Sequence, residues 1–180
     1  AINYGVYGID MAYTAFYGQN QNLLDYYSTA KKLSDNLGIG ETFSKFTDSF
    51  RANEGNRDSL VKIIDRAYDE TDKYLKANNR YITATHVITG AIIEAQYLSV
   101  ELMKNREKTP ENAEIFEKIF NNKLYVQNLI SLMEEIKKDP DTGKLLSQLE
   151  SLKMVFDTIK TSEDLNKDTL AKLSSELGKI

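Results

Sequence analysis

The chain has 180 residues, 41% of them hydrophobic, with 23 Lys and Arg against 27 Asp and Glu for a net charge of −4. That composition is globular, and the length suits a single domain with a core of its own. Cys is absent, which excludes thiolate nucleophiles, thiolate metal sites and disulfides. No Lys/Arg-rich run with interleaved aromatics occurs, which argues against nucleic acid as a partner.

In chain order, helical periodicity fills almost everything between turn signals. The first helix is predicted over about Asn3 to Leu37. Its apolar stripe is Val6, Ile9, Tyr13, Phe16, Leu23, Tyr27, Ala30 and Leu37, with a kink or break allowed at Gly18 and Asn20. Gly38 is placed to end it in a left-handed turn. A short helix over about Glu41 to Ala52 carries Phe43, Phe46 and Phe50. After the turn Asn53-Glu54-Gly55-Asn56, a third helix runs from about Asp58 to Ala77. Leu60, Ile63, Ile64, Ala67, Tyr68, Tyr74 and Leu75 are its inward residues.

The fourth helix, about Tyr81 to Asn105, is the most apolar. Twenty residues could span a bilayer. Thr83, Thr85, His86, Thr89, Glu94, Gln96 and Ser99 are costly in lipid, however, and a central bundle helix explains the segment better. Ile88 and Ile92 are accordingly expected in its buried surface, and Gly90, Ala91 and Ala95 permit close helix–helix approach. Thr109 reads as the N-cap, and Pro110 as the first residue, of a helix to about Lys138. Asp139-Pro140-Asp141 reads as a turn. Leu145, Leu149, Leu152, Phe156 and Ile159 mark the next helix, and Leu170, Leu173 and Leu177 a short last one. No segment alternates with period two. The expected fold is all-α: a single-domain antiparallel bundle, residues 1–180, of about six or seven helices.

The chemistry-bearing residues are few. His86 is the only histidine, and the helical metal signatures Glu-x-x-His and His-Glu-x-x-His are absent, so neither a transition metal nor another cofactor is expected. A lone His on an apolar helix is more often a hydrogen-bonded core residue than a ligand or base. Glu94, two turns further on, needs pairing or a raised pKa in such a setting. Asp10 lies within one turn of Tyr7 and Tyr13, and reads first as a buried acceptor for phenol or backbone donors. The speculative ligand-binding set is Tyr7, Asp10, Tyr13, Tyr17, His86 and Glu94, because tyrosines offer an apolar body with a polar tip. No catalytic residue is assigned. Gly5-x-x-Gly8 and Gly38-Ile39-Gly40 match no phosphate loop, and no Gly-x-Ser-x-Gly elbow occurs.

Three segments carry a likeness. Asn3-Tyr4-Gly5-Val6-Tyr7-Gly8-Ile9-Asp10-Met11-Ala12-Tyr13 and Lys31-Lys32-Leu33-Ser34-Asp35-Asn36-Leu37-Gly38-Ile39, with Tyr68-Asp69-Glu70-Thr71-Asp72-Lys73-Tyr74-Leu75, resemble a family of uncharacterised, predicted secreted lipoproteins of Bacteroidetes bacteria. In that family the first helix carries an N-x-G-V-Y-x-x-D-x-x-Y pattern. The resemblance implies a periplasmic, outer-membrane or cell-surface protein held through a lipidated N-terminal Cys. It supplies no active site. The sequence starts inside the family's pattern, at Ala1, without a signal peptide or lipobox Cys, so residues ahead of it are expected to have been removed. Two roles follow as expectations. The first is a non-catalytic envelope module with a binding or structural role, its partner an unknown protein or small-molecule ligand. The alternative is an unrecognised enzyme or receptor with a polar pocket near Asp10, His86 and Glu94.

Overall fold

Gly18 divides the long N-terminal segment into two helices. In the computed structural model, which describes all residues Ala1–Ile180, α1 (Ile2–Phe16) and α2 (Asn20–Asn36) are joined by three residues, with Gly18 at φ +68°. The amide of Gln19 bonds the Thr14 carbonyl at 2.8 Å, so the last turn of α1 is closed by the left-handed glycine. Gly38 repeats the device after α2, as expected, at φ +66° with the Ile39 amide 2.9 Å from the Ser34 carbonyl. The second segment divides as well, into α3 (Gly40–Ser44) and α4 (Thr47–Ala52). The seven expected helices therefore become nine, followed in order by α5 (Arg57–Ala77), α6 (Tyr81–Met103), α7 (Ala113–Glu135), α8 (Pro140–Asp157) and α9 (Lys167–Leu177). A 3₁₀ turn, Ser162–Asp164, precedes α9. The fold is all-α, 79% helical and without strands. No helix is long and apolar enough to cross a membrane.

The chain falls into two compact units, Ala1–Ala91 and Ile92–Ile180, with the boundary inside α6. In the first, α1 packs on α2 and α5, and its core is built around Tyr4, Met11, Phe43, Phe50, Leu60 and Leu75. The buried face of α1 is Tyr4, Gly5, Gly8, Met11, Thr14 and Ala15, not the stripe Val6, Ile9, Tyr13 and Phe16. The reason is close approach. A Cβ on Gly5 would stand 2.0 Å from the Val87 carbonyl oxygen of α6, one on Gly90 2.1 Å from the Ile2 carbonyl oxygen, and one on Gly8 2.1 Å from the Tyr68 ring. Gly5 and Gly8 give the close approach, and Tyr4 and Met11 on the same face fill the core.

In the second unit, α7 packs on α8, and α8 on α9. Phe116, Ile119, Val126, Leu129 and Met133 of α7 and the expected leucine rows of α8 and α9 are all nearly inaccessible. Two details differ from expectation. Asp139, not Thr109, is the N-cap with proline at the first helical position: its carboxylate accepts from the amides of Asp141 and Thr142, each at 3.2 Å. Thr109–Asn112 form a turn ahead of α7, with the Thr109 amide donating to Asn112 Oδ1 at 2.8 Å. Ile88 is 44% exposed and Ile92 only partly buried, so neither is a core anchor of α6; Ala84, Val87, Ile93 and Val100 are.

Candidate functional site

The residues singled out by sequence fall into three environments. His86 is buried on the first half of α6, within the first unit. Glu94 lies on α6 beyond the boundary, in the second unit, and is partly buried. The other four are on α1 and in the residue following it. Tyr4, the fifth aromatic of that region, belongs to the core: it is inaccessible, stacks on Tyr68 at 4.9 Å and meets Phe43 edge-on at 6.3 Å. Its hydroxyl pairs with Thr71 Oγ1 at 3.3 Å, while the Tyr68 hydroxyl donates to the Tyr4 carbonyl. Burial pushes the Tyr4 phenol up to about 12 and the Tyr68 phenol well above its ordinary value, so both stay neutral.

Asp10 is half-buried beside this cluster. Desolvation raises its pKa, and its charge is one cause of the upward shift at Tyr68. The Tyr68 donor is committed to the Tyr4 carbonyl, and the upward shift at Asp10 comes from desolvation. Tyr7 is partly buried against Tyr26, 5.7 Å between rings. Tyr13, Phe16 and Tyr17 form a separate group at the far end of α1. Tyr17 is 4.6 Å from Tyr13 and 5.2 Å from Phe16, and Phe16 and Tyr17 are 57% and 51% exposed. The chain is thus led by Gly18 into α2 with exposed aromatic residues at its turn.

Two clefts add residues that sequence reasoning did not select. In the first unit, a cleft of about 260 Å³ between α5 and α6 has an apolar floor of Leu75, Ala84 and Val87 and a rim that includes Asp65, Asp69 and Asp72. Asp69 and Asp72 are each 2.6 Å from a lysine of their own helix, Lys73 and Lys76, so most of the rim's charge is balanced. In the second unit, a larger cleft of about 540 Å³ opens between one face of α6 and one face of α7. Gln96 lines it, 2% exposed, with both amide atoms buried and unpartnered. A polar group in that state costs about 1–3 kcal/mol. The signal for it was in the sequence, as a carboxamide on the most apolar helix, but periodicity says nothing of whether its partners exist. None of Tyr7, Asp10, Tyr13, Tyr17, His86 and Glu94 lines either cleft. No group of three or more His, Asp or Glu is placed to hold a metal ion.

Comparison with known proteins finds no matching family model, no matching curated protein and no matching solved structure.

Proposed function

We propose that this chain is a non-catalytic binding module of the bacterial cell envelope, of lipoprotein type, which engages a partner protein through the aromatic end of α1. The observation that carries the reading is the Tyr13–Phe16–Tyr17 group: the Tyr17 ring meets both of the others, and Phe16 and Tyr17 are more than half exposed. Exposed aromatic clusters bind well because each ring offers a large area and few rotatable bonds. Contiguous apolar surface on a folded protein marks interaction sites. The envelope is supported by the resemblance of the first helix to the Bacteroidetes lipoproteins.

The test has two parts. Fractionation of cells making the full precursor should place the protein with the envelope; retention in the cytoplasm overturns the compartment. A photo-crosslinker at Tyr17 should then trap a defined envelope protein, and Phe16→Ala with Tyr17→Ala should abolish the adduct formed from a neighbouring position. Surface changes of this kind alter stability by only about 0.5 kcal/mol, so loss of the adduct reports binding. An adduct that survives both substitutions overturns the surface.

A further inference from the structure

Tyr81, Ile82, Ile88, Ala95 and Leu102 are the exposed residues of α6, and none of them is charged. On α5 the exposed positions instead include Lys62, Asp65, Arg66, Asp69, Glu70 and Lys73, the usual outward face of a surface helix. Tyr81, Ile88, Ala95 and Leu102 also recur at steps of seven. Partly buried Thr85, Ile92 and Ser99 fall between them, so the full ridge runs at alternating steps of four and three. That is the spacing of a two-stranded coiled-coil seam, in which a period of about 3.5 residues keeps the row in line. The ridge belongs to one uninterrupted helix, Tyr81–Met103, so its alignment depends on that helix alone. Ile88 lines the open cleft of the first unit, and Ile92, Ala95 and Ser99 line that of the second.

The order of side-chain sizes along the ridge says what covers it. Turned end for end about Ile92, the ridge fits its own reverse. Tyr81 then meets Leu102, Thr85 meets Ser99, Ile88 meets Ala95, and Ile92 meets Ile92. Large stands opposite small in the Ile88–Ala95 layer, and hydroxyl opposite hydroxyl in the Thr85–Ser99 layer. The Ser99 hydroxyl donates to the Ala95 carbonyl at 2.7 Å, which leaves its oxygen to accept from a threonine hydroxyl. Parallel pairing would set Ala95 on Ala95 and leave a gap, and would align the two helix dipoles side by side.

We propose that α6 is the interface of a homodimer, in which two copies pair antiparallel through this ridge about a two-fold axis at Ile92. A two-fold interface needs one self-complementary patch, and this ridge is one. At ~1.5 Å per residue the ridge is about 32 Å long, and with a helix about 10 Å wide the two copies bury roughly 600 Å² in total. Standard interfaces bury about 1,200 Å² or more. The dimer is therefore a weak one, with Kd on the order of 10–100 μM. The pairing uses no residue of the aromatic end of α1, and it stands or falls independently of the role given to that surface.

Sedimentation equilibrium of the whole chain, from about 1 μM to about 1 mM, reads the association. The expected mass rises from one chain toward two and no further. Ile88→Glu and Ala95→Lys, both at exposed positions, should each keep the helical far-UV spectrum and raise Kd about tenfold or more. An equimolar mixture of the two variants should recover dimer, because antiparallel pairing sets the new carboxylate of one chain against the new ammonium of the other. The chain has no Cys, so Ile92→Cys gives a single thiol at the axis, and mild oxidation should link two chains. Leu102→Cys should not link, because its two copies would stand about 30 Å apart. The cysteine variants decide even where a charged variant misfolds. The proposal is overturned if the chain stays monomeric throughout, which would leave the ridge to a different protein. It is equally overturned if dimer persists in both charged variants, if their mixture stays monomeric, or if Leu102→Cys links as readily as Ile92→Cys.

Discussion

Asp10 carries a cost in this fold that its surroundings do not offset. It is half-buried, its pKa is raised by desolvation, and the Tyr68 phenol, which feels its charge, donates to a backbone carbonyl instead. Between the ordinary aspartate value and the raised folded value, the folded chain holds a proton that the unfolded chain has released. Stability therefore falls as pH rises through that window and stays lower above it. Asp10→Asn removes the charge, so it should raise the melting temperature at pH 7, and the gain should vanish below the window. Thermal melts of both proteins from pH 3 to 8 check this; a variant less stable than the parent at pH 7 rejects it. Sequence showed that Asp10 lies one turn from two tyrosines, but not which donors were already engaged. His86 was easier, because a lone imidazole on an apolar helix has few other places to be.

The helices show what hydrophobic periodicity can and cannot find. The inward rows of α8 and α9 lie where leucine spacing puts them, because large apolar side chains fill that core. On α1 the same rule selected the wrong side. There the buried face mixes glycines with Tyr4 and Met11, and a rule that seeks bulk passes over the positions of close approach. Helix starts divide in the same manner. Thr109-Pro110 and Asp139-Pro140 are both capping residues followed by proline, and only geometry separates them. Asp139 accepts from two amides and from the Thr142 hydroxyl at 3.1 Å. Thr109 stands in a turn three residues ahead of the cap of α7. Asp139→Ala should cost about 0.5–2 kcal/mol, the usual range for a lost N-cap, and Thr109→Ala about 0.5 kcal/mol or less. Urea midpoints decide; equal costs would mean that Asp139 is not acting as a cap.

At the scale of the molecule, each unit has a core of its own, and α6 contributes residues to both. The single domain expected from length stays an expectation beside these two compact units, because composition does not record where contacts concentrate. The crossing of α1 and α6 gives a means of loading one unit only. At Gly5 the obstructing atoms are backbone, the Val87 carbonyl oxygen at 2.0 Å and the Ala91 nitrogen at 2.8 Å, so no rotamer change relieves an added methyl. Gly5→Ala should destabilise by about 1–3 kcal/mol or more. Hydrogen exchange should then show lost protection in α1, α2 and α5, with α8 and α9 unchanged. Equal loss throughout would mean that all 180 residues unfold as one cooperative domain.

The three-residue link at Gly18 also bears on how quickly the first unit can organise. Because α1 and α2 are consecutive and closely joined, the contacts between them have short sequence separation, and the entropy lost in closing such a loop is small. The link from α7 to α8 through Ile136–Asp139 gives the second unit a comparable local pair. Proteins dominated by near-neighbour pairings of this kind sit at the low end of relative contact order and fold in microseconds to milliseconds. The docking of α5 and α6 against α1 comes from residues some 60 or more positions away, so it is the step with the larger entropic barrier. The order of assembly is therefore written into connection lengths: hairpins first, the glycine crossing afterwards.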